Sequence, residues 1–313
     1  MEFFTDFFVG PIMEMVKAPE FLAEVAIAGL MSGVMYSLVG LGFVLIFKAS
    51  GIFNFAQGVM VLFAALNFVG LMDSGVHPII AFVATLVIMT LLAIAIEKLV
   101  LRHLVNQSQL ILFMSTIGIA FFLEGFGELI WGGNVRPLHV GIPDDVIFIA
   151  NGSILIQEAD LFAGVTAAFL VTVLALGFRY TAVGRALRAV ADDHQAALSV
   201  GIPLNHIWII VWAVAGFVAL VAGIMWGTKL GVQFSISIVA LKALPVLILG
   251  GFTSIPGAII GGLIIGMGEK IAEVYWGALF GGAIEEWFAY IVALIFLLFR
   301  PQGLFGDKII DRV

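Results

Sequence analysis

ALPVLILGGFTSIPGAIIGGLIIGMG, residues 243–268, contains no charged side chain. As a single helix it would measure about 39 Å at 1.5 Å per residue, more than the roughly 30 Å hydrocarbon core of a bilayer. Its centre, Gly250-Gly251-Phe252-Thr253-Ser254-Ile255-Pro256, sets paired glycines beside a proline, and both residue types interrupt helices. One helix here gives the chain eight crossings, and two give nine. The basic residues decide, because Lys and Arg collect in cytoplasmic loops. Only a reversal or a re-entrant, discontinuous helix at 250–256 puts Arg300, Lys308 and Arg312 on the same side as the other basic clusters.

Other runs repeat the pattern: Val25 to Phe47, Ala49 to Met72 and Ser74 to Ile96 lack charge. Hydrophobic residues make up 62 % and charged residues 11 %, against roughly a quarter charged in ordinary globular chains. A soluble protein is excluded. Backbone in hydrocarbon must satisfy its own polar groups, so these runs are helical. The alternation of a transmembrane barrel is absent. The expected fold is an all-α polytopic membrane protein with about 8–9 transmembrane helices. There is no cysteine, which excludes disulfides, thiolate metal sites and cysteine nucleophiles. The histidines His77, His103, His139, His194 and His206 are scattered, with no metal-ligand spacing.

Residues 1–20 read as an interfacial segment, since Glu2, Asp6, Glu14, Lys17 and Glu20 punctuate it. No basic region follows Met1, so no cleavable signal is expected. The crossings fall near 22–47, 52–72, 78–97, 109–130, 161–178, 207–227, 238–252, 256–276 and 284–299, within a transmembrane domain of residues 21–306. Lys98, Arg102 and His103 follow the third and Arg179, Arg185 and Arg188 the fifth. The 131–160 connection has Arg136 against Asp144, Asp145, Glu158 and Asp160, so it reads as external. This places the N-terminus outside and the C-terminal tail, 307–313, in the cytoplasm. Residues 148–156 read as a hairpin with Asn151-Gly152 at its turn. Gly-rich polar interruptions occur in both halves, at 50–58 and 250–257, a pattern that marks mid-membrane pathways between structural repeats.

The loop 179–206 is helical in composition over roughly 185–200, with Gly201 as its C-cap and Pro203 beyond. Ala186, Leu187, Ala189, Val190, Ala197 and Leu198 form an apolar stripe, and Arg185, Arg188, Asp192 and Asp193 a polar face. Two readings fit the spacing: docking of a partner protein, or a helix lying at the lipid headgroups.

Gln195-Ala196-Ala197-Leu198-Ser199-Val200-Gly201 resembles the Glu-Ala-Ala-x-x-x-Gly loop of bacterial ABC importer permeases, with Gln195 in place of Glu and no Ile-x-Leu-Pro after it. Lys48-Ala-Ser-Gly-Ile-Phe-Asn-Phe-Ala-Gln-Gly58, the 243–262 stretch and Arg300-Pro-Gln-Gly-Leu-Phe-Gly306 resemble the LivH-type branched-chain amino-acid permeases, so the likeness spans about 22–306. The resemblance implies a bacterial inner-membrane importer with a LivM-type second permease, two ATP-binding cassette subunits and a periplasmic solute-binding protein. It also implies that Arg185, Arg188, Gln195, Ala196, Ala197 and Gly201 belong to an ATPase-coupling loop. The chain lacks a G-x-x-x-x-G-K-[ST] phosphate loop, so ATP is expected on partner subunits and no cofactor on this chain. Lipid is the expected surroundings, and nothing points to nucleic acid.

Ser50, Asn54 and Gln57 stand at helical spacings. They read either as lining of a translocation pathway, with Gly250, Gly251 and Pro256, or as hydrogen bonds between helices. Glu124 and Glu128 read as wet and interfacial, and Lys242, Glu269, Lys270 and Glu273 as snorkelling to the headgroups. A proton-coupled carrier would place carboxylates deeper. An ABC importer permease is therefore favoured over an ATP-independent transporter or channel, and no constellation supports an intramembrane enzyme. The solutes implied by the resemblance are branched-chain or related amino acids, with urea and short amides as the alternative.

Overall fold

The computed structural model describes residues 5–51, 53–104, 107–141, 145–149, 152, 154–192 and 194–306. The described residues form a helical bundle with one β-hairpin. In order, the helices are α1 (Gly10–Lys17), α2 (Pro19–Ser50), α3 (Gln57–Asp73), α4 (Pro78–Leu99), α5 (Gln109–Trp131), α6 (Glu158–Tyr180), α7 (Ala182–Asp192), α8 (His194–Ser199), α9 (Leu204–Leu230), α10 (Ser235–Leu241), α11 (Ala243–Gly250), α12 (Ile255–Phe280) and α13 (Ile284–Phe299). The hairpin is β1 (Val146–Ile149) paired antiparallel with β2 (Ile154–Gln157), in register Ile149↔Ile154. Its expected turn residue Asn151 lies outside the described residues, as do Asp144, Asp193, Asp307, Lys308 and Arg312.

Among the described residues, six helices are long and apolar enough to cross a membrane: α2, α4 with its following 3-10 turn, α5, α6, α9 and α12. Three of the nine expected crossings are shorter. α3 starts at Gln57 rather than 52, because Phe53–Ala56 run back into the bundle without helical structure. The expected crossing 238–252 is α10 and α11, broken at Lys242. α13 has only 16 residues.

α2 is the axis of the bundle. It is buried almost continuously from Ser32 to Ile46 and packs along α12, α9 and α6. The closest seam is with α12, where Gly29 and Gly33 face Gly262 and Gly266. A Cβ on Gly33 would sit 2.5 Å from the Gly262 carbonyl oxygen, and one on Gly29 would sit 2.7 Å from Met267 Cα. Each helix carries its glycines four apart, the spacing that lets membrane helices touch through their backbones. Ser37 Oγ extends the seam by donating to Ile259 O at 3.1 Å.

The two ends of the bundle are distinct. At one, Lys48, Arg179, Arg188, Thr253–Pro256 and Phe305 border common clefts. At the other, Arg136 pairs with Asp73 at 2.7 Å and bridges to Val232, and Lys229 pairs with Asp160 at 2.8 Å. Lys48, Arg179, Arg188 and the residues after α13 therefore stand at the same end of the bundle. The N-terminal segment reaches the second end, where Phe7 O accepts from Trp276 Nε1 at 2.9 Å.

Replacing Gly33 by leucine should destabilise the purified chain by about 1–3 kcal/mol, the usual cost of overpacking, and lower its melting temperature. The same change at Gly118, which has nothing within 4 Å of a built Cβ, should leave melting unchanged. Equal melting of both variants would remove the α2–α12 seam as the organising contact.

Candidate functional site

Four groups of residues carry the candidate chemistry. The first is the 179–206 loop. It forms two helices, α7 and α8, where one was expected. Thr181 Oγ1 accepts from Gly184 N at 3.2 Å and opens α7. Arg188 then donates to Phe178 O at 2.7 Å and Arg179 O at 3.2 Å, while Arg185 donates to Tyr180 O at 3.1 Å. These are the unsatisfied carbonyls at the end of α6, where a cation also meets the negative end of the helix dipole. Both arginines thus hold the loop against its own bundle. Leu187, Val190 and Ala197 are buried as the apolar stripe requires, but Leu198 is 53 % exposed, and Val200 beside it 74 %. α8 is too short to carry the stripe through Leu198. It ends in a Schellman turn: Ile202 N donates to Ala197 O and Gly201 N to Leu198 O, both at 3.0 Å, with Gly201 at φ +83°. Gln195 and Ala196 lie on the exposed side.

The second group surrounds Asn54. Ser50, Asn54 and Gln57 share no helix face: Ser50 closes α2 and donates to Ile46 O, Asn54 sits in the link, and Gln57 starts α3. Asn54 and Gln57 are fully buried. Asn54 Oδ1 accepts from Ala56 N at 3.1 Å, its Nδ2 donates to Gln57 Oε1 at 3.3 Å, and Gln57 Nε2 donates to Ala215 O of α9 at 3.3 Å. Thr116 of α5 accepts from Phe55 N at 3.1 Å and donates to Phe53 O at 3.2 Å. A buried link without helical pairing needs such side-chain partners for its amides.

The third group is the 250–256 break, a turn between two helices. Gly251, at φ +104°, ends α11, and Ser254 Oγ accepts from Gly257 N at 3.0 Å to start α12, with Pro256 in its first turn. A Cβ on Gly251 would lie 2.7 Å from Gly306 N. The residues after α13 fill this space: Leu304 N donates to Leu249 O at 2.8 Å and Phe305 N to Gly250 O at 3.1 Å. The 243–262 and 300–306 segments, far apart in sequence, are one unit. The two interruptions also meet, since the Phe53 and Phe252 rings lie 6.1 Å apart, and Phe47 packs on Phe252 at 5.5 Å.

The fourth group corrects the snorkelling assignment. Glu269 is 2 % exposed, midway along α12. Its Oε1 accepts from Lys242 Nζ at 2.9 Å and Tyr36 Oη at 3.1 Å. Lys242 also donates to Glu285 O at 2.6 Å, and Lys270 pairs with Glu285 at 2.7 Å. Lys242 therefore ties the α10–α11 joint to the middle of α12 and the first turn of α13. Glu273 caps α13 through the amides of Ala283 and Glu285. One sequence signal pointed here: Glu269 is the sole carboxylate between Asp193 and Glu273. Glu124 and Glu128 line an open groove with Phe121 and Phe234.

Breaking a buried pair leaves a lone charge at a cost of about 3–5 kcal/mol, while replacing both partners by apolar groups is close to neutral. Glu269→Leu should therefore lower the melting temperature sharply, and Glu269→Leu combined with Lys242→Met should recover most of it. A double variant no more stable than the single one would refute the pairing energetics.

Comparison with known proteins adds identity to this geometry. The chain is 29 % identical over 300 residues to the high-affinity branched-chain amino acid transport system permease protein BraD of Pseudomonas aeruginosa, covering 91 % of this chain and 96 % of that one. It is 28 % identical over 306 residues to the corresponding LivH protein of Escherichia coli, with the same shares covered. In fold it resembles the structure of PsaBC from Streptococcus pneumoniae in complex with Fab, with a TM-score of 0.53 over 93 % of this chain and 97 % of that one, at 15 % identity. Residues 25–300 match the family described as the branched-chain amino acid transport system / permease component, and the chain belongs to that family.

Proposed function

We propose that the chain is a transmembrane permease subunit of an ATP-driven importer that moves branched-chain or related amino acids across a bacterial inner membrane. The family match over residues 25–300 carries this reading. ATP is hydrolysed on two cassette subunits docked at the end of the bundle that holds α7 and α8. A LivM-type permease completes the pathway, and a periplasmic binding protein delivers solute to the opposite end. The N-terminus is external and the residues after α13 are cytoplasmic.

In this reading α8 is the contact with the ATPase. Leu198 and Val200 present exposed apolar surface there, while Ala197 and Gly201 shape the helix and Arg185 and Arg188 brace it. Gln195 and Ala196 stand on the same outer side. A push on α8 passes through the arginines to the end of α6. It also reaches the joint made by Ser50, Asn54, Gln57 and the Gly250–Pro256 turn, because Arg188, Lys48 and Thr253 border one cleft. The polar atoms of Asn54 and Gln57 bond within the chain, which supports a role as a joint over one as a solute ligand.

Replacing Leu198 and Val200 together by aspartate should abolish co-purification of the ATPase subunits while the permease still folds and inserts. Ala197→Glu should fail earlier, as misfolding, because that site is 2 % exposed and an unpaired buried charge is costly. Retained ATPase association in the first variant would sink the coupling role of α8.

The orientation is testable because the chain has no cysteine. Phe148→Cys in the hairpin should react with an impermeant thiol reagent applied to intact cells, and Ser199→Cys should not. The opposite labelling pattern would invert the topology.

A further inference from the structure

At the end of the bundle that carries α7 and α8, a cavity of about 460 Å³ opens between the last turns of α2 and α6, the helix α7 and the Thr253–Pro256 turn. Two long helices end here and α12 begins, so the cavity stands where hydrocarbon gives way to water. Lys48, Arg179 and Arg188 border it, and among the described residues no carboxylate does. Nor does any carboxylate of the described residues lie within 4.0 Å of these three cations. Asp192 borders only the adjoining cleft. Arg188 donates to Phe178 O and Arg179 O, neutral carbonyls that use part of its donor fork and cancel none of its charge. Arg179 lies over the Tyr180 ring, 5.3 Å from its centre. Lys48 and Arg188 are half-buried. The rest of the wall is mainly apolar, with Leu176, Phe178, Leu187, Ile255 and Phe305. Leu176 and Phe305 keep 49 % of their surface exposed.

We propose that this cavity binds an anionic glycerophospholipid, with its phosphodiester held by Lys48, Arg179 and Arg188 and an acyl chain running out past Leu176 and Phe305. Three uncompensated cations, two of them half-buried, call for an anion, and a guanidinium fork suits phosphate oxygens. Basic pockets between membrane helices are a recurrent setting for such headgroups. The volume suits the head of a phospholipid and not its tails, so the tails must leave through the side that borders hydrocarbon. A free phosphate would leave the apolar wall uncovered. A zwitterionic headgroup would bring a further cation to a site that already holds three. A soluble protein would have to enter the hydrocarbon layer to reach Leu176, which lies within the α6 span. The bound lipid joins α2, α6, α7 and the Thr253–Pro256 turn through one phosphate. The proposal requires only that the bundle stand in a membrane, and is independent of the solute carried.

The full chain is reconstituted in nanodiscs of phosphatidylcholine, with or without a minor share of phosphatidylglycerol, and its melting is followed. Phosphatidylglycerol should raise the melting temperature by several degrees, whereas inorganic phosphate and glycerol 3-phosphate added to the plain discs should not. Lys48→Gln combined with Arg179→Gln should abolish the rise, and Lys98→Gln, which removes a charge away from the cavity, should keep it. A rise that survives in the double variant overturns the proposal, and a rise reproduced by inorganic phosphate replaces the lipid with a free anion. A second measurement needs no loss of charge and stands even where the double variant fails to fold. Photo-reactive benzoylphenylalanine in place of Phe305, in the otherwise unchanged chain expressed with its importer, is irradiated in the same mixed discs. Adducts of phosphatidylglycerol should exceed those of phosphatidylcholine several-fold over their molar ratio. Adducts in proportion to that ratio, or adducts with a protein subunit in place of lipid, overturn the proposal.

Discussion

The backbone contact between α2 and α12 is the constraint on which the other elements depend. Lipid tails are as apolar as leucine, so helices in a bilayer gain nothing by hiding aliphatic side chains from lipid. They gain from close packing, and the approach of Gly29 and Gly33 to Gly262 and Gly266 brings two backbones into van der Waals contact. That contact fixes the depth of α12 against α2. It thereby sets Glu269 beside Tyr36, and Lys242 follows, since its ammonium must reach the carboxylate. The kink between α10 and α11 lies at that lysine.

A second constraint is the satisfaction of polar backbone where helices are interrupted. The link Phe53–Ala56 and the turn after Gly250 both place non-helical backbone within the bundle. Each is repaired by residues distant in sequence: Thr116 for the link, and Leu304 and Phe305 for the turn. The Phe47, Phe53 and Phe252 rings then join the two repairs.

Much of this was legible in local sequence because local physics decides it. Uncharged runs of membrane length are mostly helical here, and Gly250-Gly251 with Pro256 ends one helix and begins another. The basic residues Arg179 and Arg188 and the segment that follows Arg300 stand at one end. The hairpin follows from the Asn151-Gly152 turn signal between two apolar runs, and Gly201 ends α8 as its left-handed conformation allows. Long-range partners were not legible. α3 begins late because Asn54 and Gln57 bond to each other and to Ala215 rather than to the preceding turn. Arg185 and Arg188 look like a solvent face until the end of α6 is folded beneath them. Lys242 and Glu269 look like headgroup anchors, because nothing local reveals that each supplies the other's countercharge.

The seam between α2 and α12 also bears on how such a chain is made. Helices enter the membrane in the order of synthesis, and Tyr36 and Glu269 are separated by 233 residues. Through most of that interval the grooves at Gly29 and Gly33 are covered by lipid or by provisional neighbours. α2 therefore has to be stable in the bilayer before its partner exists, and its uncharged stretch from Val25 to Phe47 suits it to stand alone. The carbonyls of Leu249 and Gly250 likewise wait for Leu304 and Phe305. The contact that organises the finished bundle is among the last to become available, so insertion and folding are separate stages in the life of this protein.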